Sequence, residues 1–324
     1  MPPPTVAHAP LILRAHFCLV NDGRACRAGV SHVHGAPIGG TITAMESPTF
    51  VRFQLGAQLR KAREQADVTA EEAAAAIEVT ASTLRRIEAG RVGIKGPALN
   101  ALLDRYGVTD AELRDTLLSM ARTGKQRGWW AKYGDLPSSY RQYIGLESAA
   151  EEVQTFETLV VPGLLQTPAY ARAMMAEDAF EPSPEAVERR VAVRTHRQEL
   201  ISSGKLRLVA VLDEAVLHRQ IGGAAVMADQ LTALLDAGGR WNVTVQVIPF
   251  REGAYASMLS SFHILNFADG PSVVYIEGLT GDLYAEGEDV RRCTVVFNSL
   301  RAAALSPTDS AAMIEAIRGA LPIE

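Results

Sequence analysis

The segment from Thr80 to Lys95, TASTLRRIEAGRVGIK, interleaves small hydroxyl side chains with cations: Thr80, Ser82 and Thr83, then Arg85, Arg86, Arg91 and Lys95. A hydroxyl can both donate and accept a hydrogen bond at close range, and a guanidinium offers a rigid fork of donors with a permanent charge. Such a set can neutralise phosphates and read base edges, where a bidentate arginine on guanine contributes about 1–3 kcal/mol of discrimination. Between positions 85 and 95 the four basic residues outweigh Glu88, leaving a net charge of three positive. The same residues also fit a solvated helix face with Glu88 as an internal partner, Arg86 bracing the fold against Glu64 or Glu88. Any action on a polyanion has to be local, because the 324-residue chain carries a net charge of −5 and a pI near 5.9.

Other reactive constellations point nowhere specific. Asp213, Glu214, His218 and Arg219 fall on one short helix, where helical spacing makes surface ion pairs rather than an acid/base couple. His263 lies inside an apolar alternating strand and reads as a satisfied histidine. There is no GxSxG elbow, phosphate loop or HExxH, so no catalytic residues are expected. The histidines and Cys26 near the start lack ligand spacing, and neither a metal nor a cofactor is expected. Three cysteines far apart, Cys18, Cys26 and Cys293, form no disulfide framework and suit a reducing cytoplasm. No charge-free apolar run reaches about 18 residues, and Pro10 to Val20 is broken by Arg14 and His16, so neither membrane span nor signal peptide is expected.

The elements that must position the cationic segment are legible around it. LGAQLRKAREQA sets Leu55, Leu59 and Ala62 at helical spacing, with Arg60, Lys61 and Arg63 outward. Thr69 followed by Glu72 is a capping box that starts a second helix, running to about Ile77. Thr80 caps a third helix, which ends at Gly90. A fourth starts at Pro97 and runs to Gly107, and a fifth begins at Thr109. Two short helices joined by so tight a turn make a helix-turn-helix. Four segments follow: 1–48 as a disordered extension or one whose true start is Met45, 49–121 as this helical domain, 122–128 as a basic linker, and 129–324 as a second domain.

Taken together, LGAQLRKARE, TAEEAA, the turn at Val79-Thr80 and STLRRIEAG make 55–107 resemble the lambda-repressor-like, or Xre/Cro-type, helix-turn-helix domains. The resemblance implies that the third helix enters the major groove. Ala81, Ser82 and Arg85 would then face bases, with Thr80 capping that helix and Thr69, Thr83, Arg86, Arg91 and Lys95 nearer phosphates. Ala70 departs from the glutamine common at that position and removes one polar contact.

Behind the linker, KLRLVAVL, WNVTVQVIPF, SSFHILNF and SVVYIEG read as strands, and GGAAVMADQLTALLDAGG and EDVRRCTVVFNSLRAAAL as helices that pack them. The fold expected is an all-α lambda-repressor-like N-terminal DNA-binding domain followed by an α+β C-terminal domain. Trp129, Trp130, Tyr133, Tyr140 and Tyr143 are candidates for a partner or effector surface, or equally for core packing. The WW pair, YIGLE, VPGLLQTPAYA, AVRTHRQELI and VLDEAVLHRQIGG resemble the Scr1-like or WhiJ-like, antitoxin-type C-terminal domain (DUF5753-type) found behind Xre-type heads.

This implies a cytoplasmic, nucleoid-associated transcriptional regulator that binds double-stranded DNA at a promoter operator as a homodimer. Its control would come from a small partner protein encoded nearby. Rival readings are a ligand-sensing repressor and a protein adaptor whose head no longer reads DNA.

Overall fold

A computed structural model of the chain describes residues 47–322, apart from 135, 178–182 and 280. The extension read as 1–48, with the Met45 start, Cys18 and Cys26, therefore falls up to position 46 outside the described residues.

The N-terminal part is helical: α1 (Pro48–Gln65), α2 (Ala70–Ala76), α3 (Ala81–Glu88), α4 (Gly96–Arg105) and α5 (Ala111–Thr123). Local chemistry sets these ends. The Thr69 hydroxyl accepts from the Glu72 amide at 3.2 Å while the Glu72 carboxylate accepts from the Thr69 amide at 2.9 Å. Thr80 accepts from the Thr83 amide at 3.1 Å. Asp110, not Thr109, caps α5 by accepting from the Glu112 and Leu113 amides. Leu55, Leu59, Leu84, Leu99, Leu102 and Leu103 meet in one buried core.

Helix α1 crosses α3 at unusually short range. A Cβ on Gly56 would sit 2.3 Å from the Glu88 carbonyl oxygen, and one on Gly90 would sit 2.6 Å from the Phe53 Cα. Gly90 also has φ of 66°, a left-handed conformation that favours glycine as the helix terminator. Arg63, expected to point outward, instead turns in and holds the buried Glu88 carboxylate with two hydrogen bonds, 2.7 and 3.2 Å. Arg52 ties three elements together: it donates to the carbonyls of Gly90 and Gly124 and to the Thr49 hydroxyl.

The C-terminal part is built on one six-stranded mixed sheet. In chain order it contains α6 (Ser138–Glu147), β1 (Glu152–Glu157), α7 (Pro168–Ala176), α8 (Pro184–Arg197), α9 (Glu199–Ser202) and β2 (Arg207–Asp213). There follow α10 (Ala215–His218), α11 (Ala224–Gly238), β3 (Val243–Ile248), β4 (Phe262–Asn266), β5 (Val273–Ile276), β6 (Leu283–Ala285), α12 (Glu288–Ala303) and α13 (Pro307–Gly319). The strand order is β3-β2-β1-β4-β5-β6, parallel from β1 to β3 and antiparallel from β1 through β4 to β6.

Alternation sorts the sheet into two faces. Val153, Leu208, Val243 and Leu265 face the core that also takes in α6, α8, α11 and α13, whereas Phe156, Val211 and Ile264 face Phe297 and Leu300 of α12. The helices expected to pack the strands thus lie on opposite faces. Phe50 and Phe53 of α1 belong to the first of these cores, with Phe50 stacked on Phe267 at 4.4 Å between ring centroids.

Gly56→Ala tests the crossing against intrinsic propensity. Alanine is favoured in a helix interior by about 0.8–1.0 kcal/mol, yet the added methyl would strike backbone. We expect denaturant unfolding to show a net loss of about 1–3 kcal/mol, as for an overpacked site.

Candidate nucleic-acid interface

Helix α3 buries Leu84, Ile87 and Glu88 and leaves Ser82, Arg85 and Arg86 exposed, with Ala81 and Thr83 half-buried at its start. Its polar face is therefore the one opposite the α1 crossing. Thr69 and Thr80 are exposed, but both hydroxyls are engaged in capping, and Thr80 shares a hydrogen bond of 3.0 Å with the Thr83 hydroxyl. Arg91 and Lys95 follow on the exposed loop between α3 and α4.

The cations differ in their state. Arg85 donates from Nη2 to Glu71 of α2 at 2.8 Å, and both side chains are more than half exposed. Such a pair contributes little and exchanges readily with another acceptor. Arg86 braces neither Glu64 nor Glu88, because those carboxylates are taken by Arg60 and Arg63. Instead it opens, with Arg91, into a cleft of about 810 Å³ between the helical head and the sheet domain. Arg52, Arg127, Arg141 and the first turn of α6 at Ser138 and Ser139 also line it, with Asp282 as its carboxylate. The Arg91 guanidinium lies 5.7 Å from the ring centroid of Tyr284 on β6. The basic stretch 122–127 thus contributes Arg127 to the same surface as the end of α3. Sequence reasoning missed Arg52, Arg141 and Tyr284, and nothing in their local patterns marks them; only the packing of α1, α6 and β6 brings them there.

The aromatic candidates divide between packing and partial exposure. Trp130 and Tyr143 are buried in the main core, and Trp129, Tyr133 and Tyr140 pack half-buried against it. Trp129 donates from Nε1 to Ser148 at 3.1 Å and lies 4.2 Å from the His196 ring. Tyr140 and Tyr143 flank Arg197, which forms a fully buried two-pronged ion pair with Glu147 at 2.6 and 2.7 Å. Breaking such a pair from one side costs about 3–5 kcal/mol.

The charged group at 213–219 behaves as local pairs. His218 is 3.2 Å from Glu214, whose other oxygen accepts from the Phe250 amide, and Asp213 accepts from Tyr255 and from the Ala215 amide. His263 is half-buried, 3.6 Å from Glu157. No cluster with the makings of a metal site occurs among the described residues, and no helix there is long and apolar enough to cross a membrane.

A compact helical head with an exposed, cation-bearing third helix defines a helix-turn-helix DNA-binding regulator. Residues 54–117 match a helix-turn-helix domain, and residues 140–316 match DUF5753, a domain of unknown function. The second match takes in more than half of the chain, which belongs to the DUF5753 family. No curated protein and no solved structure matches the chain.

Burial sets a pH dependence around His263 and Glu157. It lowers His263 from 6.5 to about 3, with the Arg197 charge adding to the effect, and raises Glu157 from 4.5 to about 8. The depressed histidine contributes stability that is present above pH 6.5 and lost as pH falls towards 3. The raised carboxyl contributes stability that is present below pH 4.5 and lost as pH rises through 8. Urea unfolding across this range should show both limbs, with Glu157→Gln flattening the alkaline one and His263→Gln the acid one.

Proposed function

We propose that the protein reads operator DNA with α3 in the major groove, as a homodimer, and that a small partner protein encoded nearby controls it through the C-terminal domain. The carrying observation is the exposed face of α3, on which Ser82, Arg85 and Arg86 stand together and continue into the arginine-lined cleft. Ala81, Ser82 and Arg85 would meet base edges. Arg86, Arg91 and Lys95, joined by Arg127, would meet phosphates.

Thr69, Thr80 and Thr83 then serve mainly by fixing helix starts, since their hydroxyls are taken. Arg85 must leave Glu71 to reach a guanine, an exchange of one exposed ion pair for a bidentate contact. Two copies would place their third helices about one turn of duplex apart, roughly 34–36 Å.

Support for a protein partner comes from the C-terminal resemblance and from apolar side chains left in solvent on the segment after β3, Phe250, Met258 and Leu259. In this role the protein works in the cytoplasm on the nucleoid, and its antitoxin-like character lies in being relieved or engaged by that partner.

Binding of the intact protein to its own upstream DNA, followed by fluorescence anisotropy across a salt series, tests this. The logarithm of the affinity should fall linearly with log salt, by about 0.9 log unit per tenfold rise in salt for each phosphate neutralised. Arg86→Ala should weaken all duplexes alike and reduce the salt slope by about 1, whereas Arg85→Ala should cost about 1–3 kcal/mol at one G·C pair and relax preference there. Glu71→Gln, which frees Arg85 and removes a negative charge, should strengthen binding. No complex at low salt, or no effect of any of the three substitutions, defeats the proposal.

A further inference from the structure

A second cavity, about 250 Å³, lies inside the C-terminal domain between the sheet and the 160–166 segment, away from the arginine-lined cleft. Strand register builds one wall. Thr155, His263, Tyr275 and Tyr284 stand side by side across β1, β4, β5 and β6, a polar rung that Ala210 of β2 continues on a largely apolar face. Thr155 and His263 of this rung open into the cavity beside Glu157, and α8 sends in Arg194 and Arg197 from the opposite side.

Two donors there have no acceptor. The Thr155 hydroxyl, on a residue only 1% exposed, and Nε of Arg194 are buried without a hydrogen-bond partner among the described residues. Buried donors of this kind are rare, because each costs a substantial part of a hydrogen bond, more when charged. Arg197 is neutralised by Glu147, whereas Arg194 donates from Nη1 to the neutral Gln166 side chain, also engages the Tyr140 side chain, and feels Glu277 and Glu157 through Coulomb attraction, with no ion pair to a carboxylate within 4 Å among the described residues. Glu277 sits exposed at the rim. Gly163 leaves room at this guanidinium, since a Cβ there would lie 3.4 Å from Nε. The remaining walls are apolar, including Val161, Leu164, Met174 and Leu208.

We propose that this cavity binds a small monocarboxylate with an apolar tail, its oxygens accepting from Nε of Arg194 and the Thr155 hydroxyl. One cation without a close carboxylate calls for one negative charge, and a phosphate dianion would bring a surplus charge into a site with apolar walls. The volume, just under the usual range for ligand sites, admits a molecule the size of a branched or aromatic acid. Glu157, held protonated at neutral pH by burial, adds a donor rather than a repelling charge, and His263 is neutral there.

The test is calorimetric titration of the full-length protein with benzoate and with isovalerate at matched ionic strength, inorganic phosphate and chloride serving as controls. At least one carboxylate should bind saturably, one per chain, and phosphate should not. Thr155→Val keeps the side-chain shape and removes only the orphan hydroxyl, so the variant should fold at least as stably as the parent and bind roughly tenfold more weakly. Arg194→Gln should abolish binding. Absence of binding by both acids, binding of phosphate as strong as theirs, or an unchanged affinity in Thr155→Val would overturn the proposal. No DNA enters this measurement, so its outcome is separate from that of the operator-binding experiment.

Discussion

The structure depends on α1 belonging to two cores at once. Its first turns carry Phe50 and Phe53 into the sheet domain, where they meet Phe267, and its later turns carry Leu55 and Leu59 into the helical head. Large aromatic side chains contribute heavily to burial, so the head is fastened to the body by apolar area rather than by the 122–128 stretch alone. The direction in which α3 faces is therefore set relative to the sheet. Gly145 of α6 reinforces this, because a Cβ there would meet the Thr49 hydroxyl at 2.5 Å and the two helices must cross closely.

From that crossing the interface follows. Gly56 lets α1 and α3 approach, Arg63 neutralises Glu88 within the contact, and the remaining charges of α3 are left to solvent. Glu88 is thereby withdrawn from the electrostatics of the cationic face, where exposed Glu71 is instead the carboxylate beside Arg85. A chain of net charge −5 can present such a face because fields near a surface are local, with a screening length of about 8 Å at physiological salt.

The C-terminal domain uses its polar residues differently. Its β-rung and the last two arginines of α8, Arg194 and Arg197, face the interior, and the Glu147–Arg197 pair, fully buried, fixes α8 against α6. The segments that resemble the family's signature, YIGLE, VPGLLQ and VRTHR, converge from separate parts of the chain on one interior. Glu147 anchors the ion pair with Arg197, Gly163 and Gln166 line the cavity from the loop after β1, and Arg194 bonds Gln166 there. What look like three motifs in sequence share one interior in space.

Local rules were legible from the chain alone. Capping by Thr69, Thr80 and Gly90, the helical period of α1 to α5, and the apolar runs of β2 to β5 all depend on neighbours a few residues away, and the fold class followed from them. Strand β1, EVQTFE, escaped notice although it lies at the centre of the sheet, because Glu152, Gln154 and Glu157 make it read as polar loop. Its place is decided by ladder bonds to β2 and β4, and of its polar residues only Thr155 and Glu157 line the interior cavity. Arg63 likewise looked solvent-facing until Glu88 arrived from 25 residues away. The sequence by itself determined the five helices of the head, the strands β2 to β5 and where most of these stop, since capping and periodicity act within a turn or two. Only the tertiary structure decided which charges are matched, because ion pairing and burial depend on residues that the chain keeps far apart and the fold brings into contact.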